Sequence, residues 1–275
     1  MLLGLGTSLT TQSSINTFTF FLVLTCALLA HISVNTLNEY YDFKSGLDLK
    51  TDKTKFSGGS GALPGHPEMA ELVQLVGRAS LTLSIIIGLY LIIERGIQII
   101  PIGLIGIILI ISYTQWLNRF PFLCLIAPGS GFGLLMVIGT HMTLTGEVSR
   151  LALLVSLIPF FLVNNLLLLN QYPDIKADAS VGRNTFPIAF GLDKSNLTYA
   201  LFMLAAYSLI LLFIIRGYIP ALSIIALSPI FFSLFALSGA IKLRSKIADT
   251  PRYLSVNVAA TILTPLLLAI SIIYG

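Results

Sequence analysis

The chain has 275 residues, of which 56% are hydrophobic and only 10% charged, with a formal net charge of +4. A soluble domain carries about 25% charged residues, so this composition excludes an ordinary soluble enzyme and indicates a polytopic membrane protein. The small positive excess sits in short loops between apolar runs, which excludes a nucleic-acid-binding surface.

In chain order, the apolar start "MLLGLGTSLTT" is about half the length of a span and reads as the tail of a helix. Eight full spans are expected after it, at 17–38, 70–93, 98–116, 122–145, 151–171, 197–215, 219–240 and 254–273. No secretory signal is visible, because the first basic residue is Lys44 and no positive segment precedes the apolar start. Segment 39–68 includes "FSGGSGALPGHPE", and its Gly and Pro content predicts a shaped loop without a regular element of its own. The other long connection is 173–196.

Basic residues sort these connections into two sets. Lys44, Lys50, Lys53, Lys55, Arg119, Lys176, Arg183, Lys194, Lys242, Arg244, Lys246 and Arg252 fall on one side; Arg95, Arg150 and Arg216 fall on the other. Twelve against three places the first set in the cytoplasm and predicts a multi-pass protein of the cytoplasmic membrane. Both long connections lie on that cytoplasmic side, so function is expected there.

Acidic residues gather where two spans end on that side. "NEYYDFKSGLD" at 38–48 places Asn38 four residues before Asp42, with Asp48 beyond. "NQYPDIKAD" at 170–178 places Asn170 four before Asp174, and Asp174 four before Asp178. Residues four apart share a helix face, and Pro173 predicts a kink or restart within the second set. Carboxylates stacked beside a bilayer repel one another and are costly. A hard divalent cation relieves that repulsion, and Mg²⁺ takes one or two carboxylates, waters and substrate phosphate oxygens. Two such clusters facing each other would hold a diphosphate through Mg²⁺, with Lys44, Lys176 and Arg183 on the remaining phosphate oxygens. Solvated loop acids are the plainer alternative, and the repetition of Asn with four-residue spacing argues against it.

The two segments resemble the paired Asp-rich motifs of the UbiA-type intramembrane prenyltransferases. "NEYYDFKSGLD" followed by "FSGGS" is similar to the 1,4-dihydroxy-2-naphthoate polyprenyltransferase branch, and "NQYPDIKADASVGRNTFPIAFG" resembles the second motif. The resemblance implies an all-α membrane bundle in one domain, 1–275, with eight full helices plus a partial first helix of a nine-helix architecture. It implies Mg²⁺-dependent transfer of a polyprenyl group from polyprenyl diphosphate to an aromatic acceptor, with loss of the ring carboxylate in the naphthoate branch. By the same resemblance Asp42 and Asp174 are catalytic, and Asp42, Asp48, Asp174 and Asp178 hold the metal. Asn38, Lys44, Asn170, Lys176 and Arg183 then bind substrate. The chain departs from the family pattern at Glu39, where Asp is frequent, and at Arg183, where Lys is usual. It departs again in its short first helix, which leads to the expectation that upstream DNA encodes about 10–20 further residues.

Other polar residues need a reading too. His31 and Asn35, one turn apart on the second span, read as cavity-lining or helix-packing groups; Asn164 and Asn165 likewise. "GSGFG" at 129–133 reads as close helix packing, Trp116 as an interface anchor, and Cys26 and Cys124 as small apolar side chains. A secondary transporter is the rival class, but these acids cluster at one face instead of the midplane.

Overall fold

The computed structural model describes residues 1–275 apart from Ser13, Asp52, Lys55, Ser57 and Gly58. Lys55 of the larger basic set, and Ser57 and Gly58 of "FSGGS", therefore lie outside the described residues. The described chain is all-helical. A short helix α1 (Leu2–Thr11) is followed by α2 (Thr17–Lys44), the four-residue α3 (Ala62–Gly65), α4 (Ala70–Arg95) and α5 (Ile100–Gln115). Next come α6 (Pro121–Gly129), a π-helical turn at Ser130–Leu135, α7 (Met136–Thr145) and α8 (Arg150–Asn170). The chain ends with α9 (Ile175–Ser180), α10 (Phe186–Ile215), α11 (Ile230–Leu243) and α12 (Arg252–Tyr274). Among the described residues, eight helical stretches are long and apolar enough to cross a membrane, and they match the eight expected spans; α1 is the partial helix before them.

Two boundaries differ from the sequence reading. Helix α2 runs on to Lys44, six residues past the expected end, so Asp42 stands on the same helix as Asn38 and not in the loop. Nothing between Glu39 and Lys44 breaks a helix; the turn comes at Gly46, whose φ of 74° suits glycine. The 39–68 connection is also not wholly irregular, since α3 forms within it. Helix α10 begins at Phe186, and Gly191 (φ 79°) breaks its regularity near the start.

The two halves of the bundle pack differently. Helices α8, α10, α11 and α12 enclose a dense core around Tyr199, Ala206, Ile210 and Leu268. A polar network crosses it: Asn165 Nδ2 donates to the Tyr199 carbonyl (2.9 Å), Tyr199 Oη donates to Asn257 Oδ1 (2.8 Å), and Asn257 Nδ2 donates to the Asn165 carbonyl (3.4 Å). Such bonds between spans contribute about 0.6 kcal/mol each. Asn164 Oδ1 accepts from the Gly129 backbone N–H at 2.6 Å, so both asparagines act in helix packing. The glycine cluster has the same role. A Cβ at Gly133 would lie 2.4 Å from Phe160 N, and one at Gly129 would lie 2.2 Å from Phe160 O, so the α6–π segment touches the α8 backbone.

By contrast, α5 buries none of its side chains although it is apolar all round. One of its faces lines a cavity, together with α2, α4, the α6–α7 segment and α8.

Candidate functional site

That cavity has a volume of about 690 Å³. Its wall on α2 runs from Val23 to Asp42, and 19 residues of helix span about 29 Å, close to the hydrocarbon thickness of a bilayer. Most of its lining is aliphatic or small, from Val23, Ala27 and Ala30 to Ile102, Gly103 and Gly106. The polar end holds Asn38, Asp42, Asp48, Asn170, Asp174, Asp178 and Arg183, seven of the nine site residues expected from the sequence.

Local chain geometry explains how they meet. The α2 helix carries Asn38 and Asp42 on one face, where Asn38 Nδ2 donates to Asp42 Oδ2 (2.9 Å). Thr114, at the end of α5, donates to Asn38 Oδ1 at 2.7 Å and fixes the amide's orientation. At the second motif α8 stops at Asn170 and the chain restarts as α9 at Ile175, as Pro173 requires. Asp174 therefore stands at the head of α9, where its carbonyl accepts from Asp178 N (2.8 Å). The turn after α9 returns Arg183 to the cavity. Its guanidinium donates from Nη1 to Asp178 Oδ1 (3.0 Å) and from Nη2 to Asp42 Oδ1, which ties the two motifs together.

The other two expected residues stand away from the cavity wall. Lys44 pairs with Glu71 of α4 at 3.2 Å, both exposed, and Lys176 is exposed on α9. The α2 turns that aim Asp42 inward carry Lys44 to the outer side.

The Gly-rich segment covers the first motif. Ser60 donates to Glu39 through both its backbone N–H (3.2 Å) and its hydroxyl. Gly59 has φ of 68°, and a Cβ there would lie 3.0 Å from Asp48 Oδ1. Only glycine lets the backbone approach that carboxylate in this conformation.

Electrostatics mark the same place. Burial, then the neighbouring Glu39, pushes the Asp48 carboxyl up to about 6, against the pull of Arg183. Burial also raises Asp178 above the usual carboxylate range despite Arg183 beside it. Burial opposes charge on Arg183, but Asp42 and Asp178 outweigh it and hold the guanidinium above its ordinary value. Buried acceptor atoms Asp48 Oδ2, Asn170 Oδ1 and Gln171 Oε1 meet no hydrogen-bond donor among the described residues. Oxygen acceptors without donors are a donor set suited to a hard cation. Among the described residues no three His, Cys, Asp or Glu side chains form a cage of their own. A Mg²⁺ ion, which retains waters and takes ligand phosphate oxygens, fits such an incomplete set.

Sequence reasoning missed several residues of this end. Thr114 stands at the end of α5 and Asn118 just beyond it, in a stretch that carries no acid to attract notice. Gln171 and Thr185 lie within the quoted second motif without being singled out there; the Thr185 hydroxyl, beside the cavity, is buried with no partner among the described residues. Tyr113, three residues before the interface anchor Trp116, lines the cavity, while Trp116 is exposed.

The chain is similar to known proteins. The chain is 27% identical over 207 residues to a 1,4-dihydroxy-2-naphthoate octaprenyltransferase of Bacillus subtilis, covering 72% of this chain and 63% of that protein. It is 25% identical over 189 residues to the enzyme of the same name from Haemophilus influenzae, covering 67% of this chain and 61% of that one. The chain thus spans somewhat under two thirds of the length of these relatives. A UbiA homolog from Archaeoglobus fulgidus, solved bound to DMAPP and Mg²⁺, superposes with a TM-score of 0.69 at 16% identity, covering 99% of this chain and 94% of that one. A digeranylgeranylglyceryl phosphate synthase superposes with 0.67 at 14% identity, covering 99% and 92%. The last two likenesses establish a shared fold. With the UbiA prenyltransferase family matched over residues 1–261, the chain belongs to that family.

Proposed function

We propose that this protein is a Mg²⁺-dependent prenyltransferase of the cytoplasmic membrane. It would move a polyprenyl group from its diphosphate to an aromatic acceptor, 1,4-dihydroxy-2-naphthoate, in a single domain whose site faces the cytoplasm. The observation that carries this reading is the cavity itself: two Asn–Asp motifs joined through Arg183 at one end, and a long apolar tube behind them. An isoprenoid diphosphate is polar at one end and hydrocarbon along the rest, as is the cavity. The names of the two octaprenyltransferase relatives, and the DMAPP and Mg²⁺ of the Archaeoglobus fulgidus homolog, support the same substrate class.

Asp42, Asp48, Asp174 and Asp178 would hold Mg²⁺, with Asn38 and Asn170 orienting the carboxylates and the diphosphate. Bound there, the ion supplies positive charge to the departing diphosphate. Arg183 donates to the diphosphate oxygens as the allylic C–O bond breaks and its electron pair leaves with the diphosphate. A ring carbon of the acceptor then supplies the pair for the new C–C bond, and the ring regains aromaticity by losing its carboxylate as CO₂. The aliphatic wall keeps water from the allylic cation. Lys44 and Lys176, off the cavity wall, act at the membrane surface in attracting the anionic head.

The test incubates membranes containing the protein with Mg²⁺, labelled polyprenyl diphosphate and a panel of aromatic and lipid-alcohol acceptors. Prenylated naphthoate product is expected; a panel on which no acceptor is prenylated overturns the reading.

A further inference from the structure

Beyond the acidic end the cavity lining is mostly apolar, and the hydroxyls of Ser84, Thr140 and Thr143 on it already bond to backbone carbonyls. His31 and Asn35 both stand on its wall with exposed side chains. They continue the face that carries Asn38 and Asp42: positions 31, 35, 38 and 42 follow steps of four, three and four, one stripe along α2. Asn35 lies about 10 Å and His31 about 16 Å along the axis from Asp42.

The pair presents complementary hydrogen-bonding groups. Asn35 Nδ2 donates to the His31 carbonyl at 2.8 Å, and no protein donor among the described residues meets its amide oxygen. Among the described residues, the polar side-chain atom that meets the imidazole is that same Nδ2, itself a donor, at 3.4 Å from both ring nitrogens. The imidazole N–H therefore meets no protein acceptor among the described residues. Phe132, on the π-helical turn, packs edge-on against the imidazole with centroids 5.4 Å apart and holds its orientation. Space adjoins the pair. Gly106 and Ile107 of α5 line the same cavity as His31 and Asn35. A Cβ at Gly106 would touch nothing within 4 Å.

A polar pair in a hydrocarbon cavity is costly unless a ligand satisfies it. The prenyl tail has no polar atom to offer, and the diphosphate belongs to the acidic end a turn or more away. The polar group that meets this pair must come from the other substrate. An aromatic hydroxyl both accepts and donates, which matches one N–H and one amide oxygen.

We infer that His31 and Asn35 form the subsite that receives a ring hydroxyl of the aromatic acceptor, and so set acceptor specificity. This rests on the prenyl-transfer reading above. The experiment measures steady-state kinetics of the full chain in lipid vesicles with hydroxylated naphthoates and their deoxy analogues. Two variants, His31→Leu and Asn35→Leu, are compared with His31→Gln, which keeps a donor. Each Leu variant is expected to raise KM for the hydroxylated acceptor about tenfold, to leave KM for the polyprenyl diphosphate unchanged, and to narrow the preference over the deoxy analogue; His31→Gln should restore most of it. Unchanged acceptor KM in both Leu variants would mean that the pair binds only water and would overturn the subsite, as would equal increases for both substrates. Absence of transfer by the unaltered chain to every aromatic acceptor would instead overturn the prenyl-transfer reading itself.

Discussion

Arg183 donates to Asp42 across 141 residues of chain, and through that bond the first Asp-rich motif meets the second. The same guanidinium holds Asp178, so one cation compensates two buried carboxylates. Arg183→Gln is expected to destabilise the metal-free protein by about 3 kcal/mol, because it leaves both carboxylates buried and uncompensated. Adding Asp178→Asn should recover part of that loss. Thermal unfolding in detergent checks both variants; equal stability of Arg183→Gln and the unaltered chain would contradict the bridge.

Asp42→Asn and Asp174→Asn should each reduce prenyl transfer by about 100-fold or more while the protein remains folded in the membrane. Each substitution removes a negative charge from a proposed Mg²⁺ ligand set, and among the described residues no separate carboxylate cage can replace it. Turnover at limiting Mg²⁺ is the measurement, and normal turnover in both variants would refute the two-motif site.

Metal dependence should shift with pH. Asp48 is pushed up to about 6 and Asp178 is also raised, so the folded protein holds protons that the unfolded chain releases. Without metal, stability contributed by these groups is therefore present at low pH and lost as pH rises through 6. Mg²⁺ binds the ionised form, so its apparent affinity should strengthen over the same interval. Asp48→Asn should flatten that dependence near pH 6. Titrating Mg²⁺ against thermal stability at pH 5.5 and 7.5 measures it without reference to catalysis.

The glycines of the α6–π segment offer a packing test. Gly133→Ala places a methyl 2.4 Å from backbone atoms of Phe160 that cannot yield, so α8 must move. The expected cost is about 1–3 kcal/mol. Gly131→Ala meets only Leu109 at 3.9 Å and should leave the melting temperature unchanged.

Orientation is checked by labelling. In a background of Cys26→Ser and Cys124→Ala, cysteines placed at Lys53 and Lys242 should react only from the cytoplasmic side, and one at Arg150 only from the other. Reaction of Lys53→Cys and Arg150→Cys from the same side would overturn the topology.

Much of this was legible in the sequence, for physical reasons. A bilayer demands long apolar helices, so eight spans follow from runs of hydrophobic residues alone. Asn38 with Asp42 was equally legible, because i and i+4 must share a face once a helix is granted. Pro173 announced the break that sets Asp174 at the head of α9. The sequence could not say which way Lys44 and Lys176 turn, since a basic residue near a motif looks the same whether it faces a cavity or Glu71 on a neighbouring helix. Nor could it show that Arg183 joins the two motifs, or that Thr114 orients Asn38, because those contacts link distant segments. His31 and Asn35 illustrate the division best. Their spacing put them on one face from the start, but an aliphatic helix surrounded by lipid and one lining a cavity have the same composition. Only the packing of α2 against α4 and α5 decided which face looks inward, because burial against protein and exposure to hydrocarbon select the same side chains.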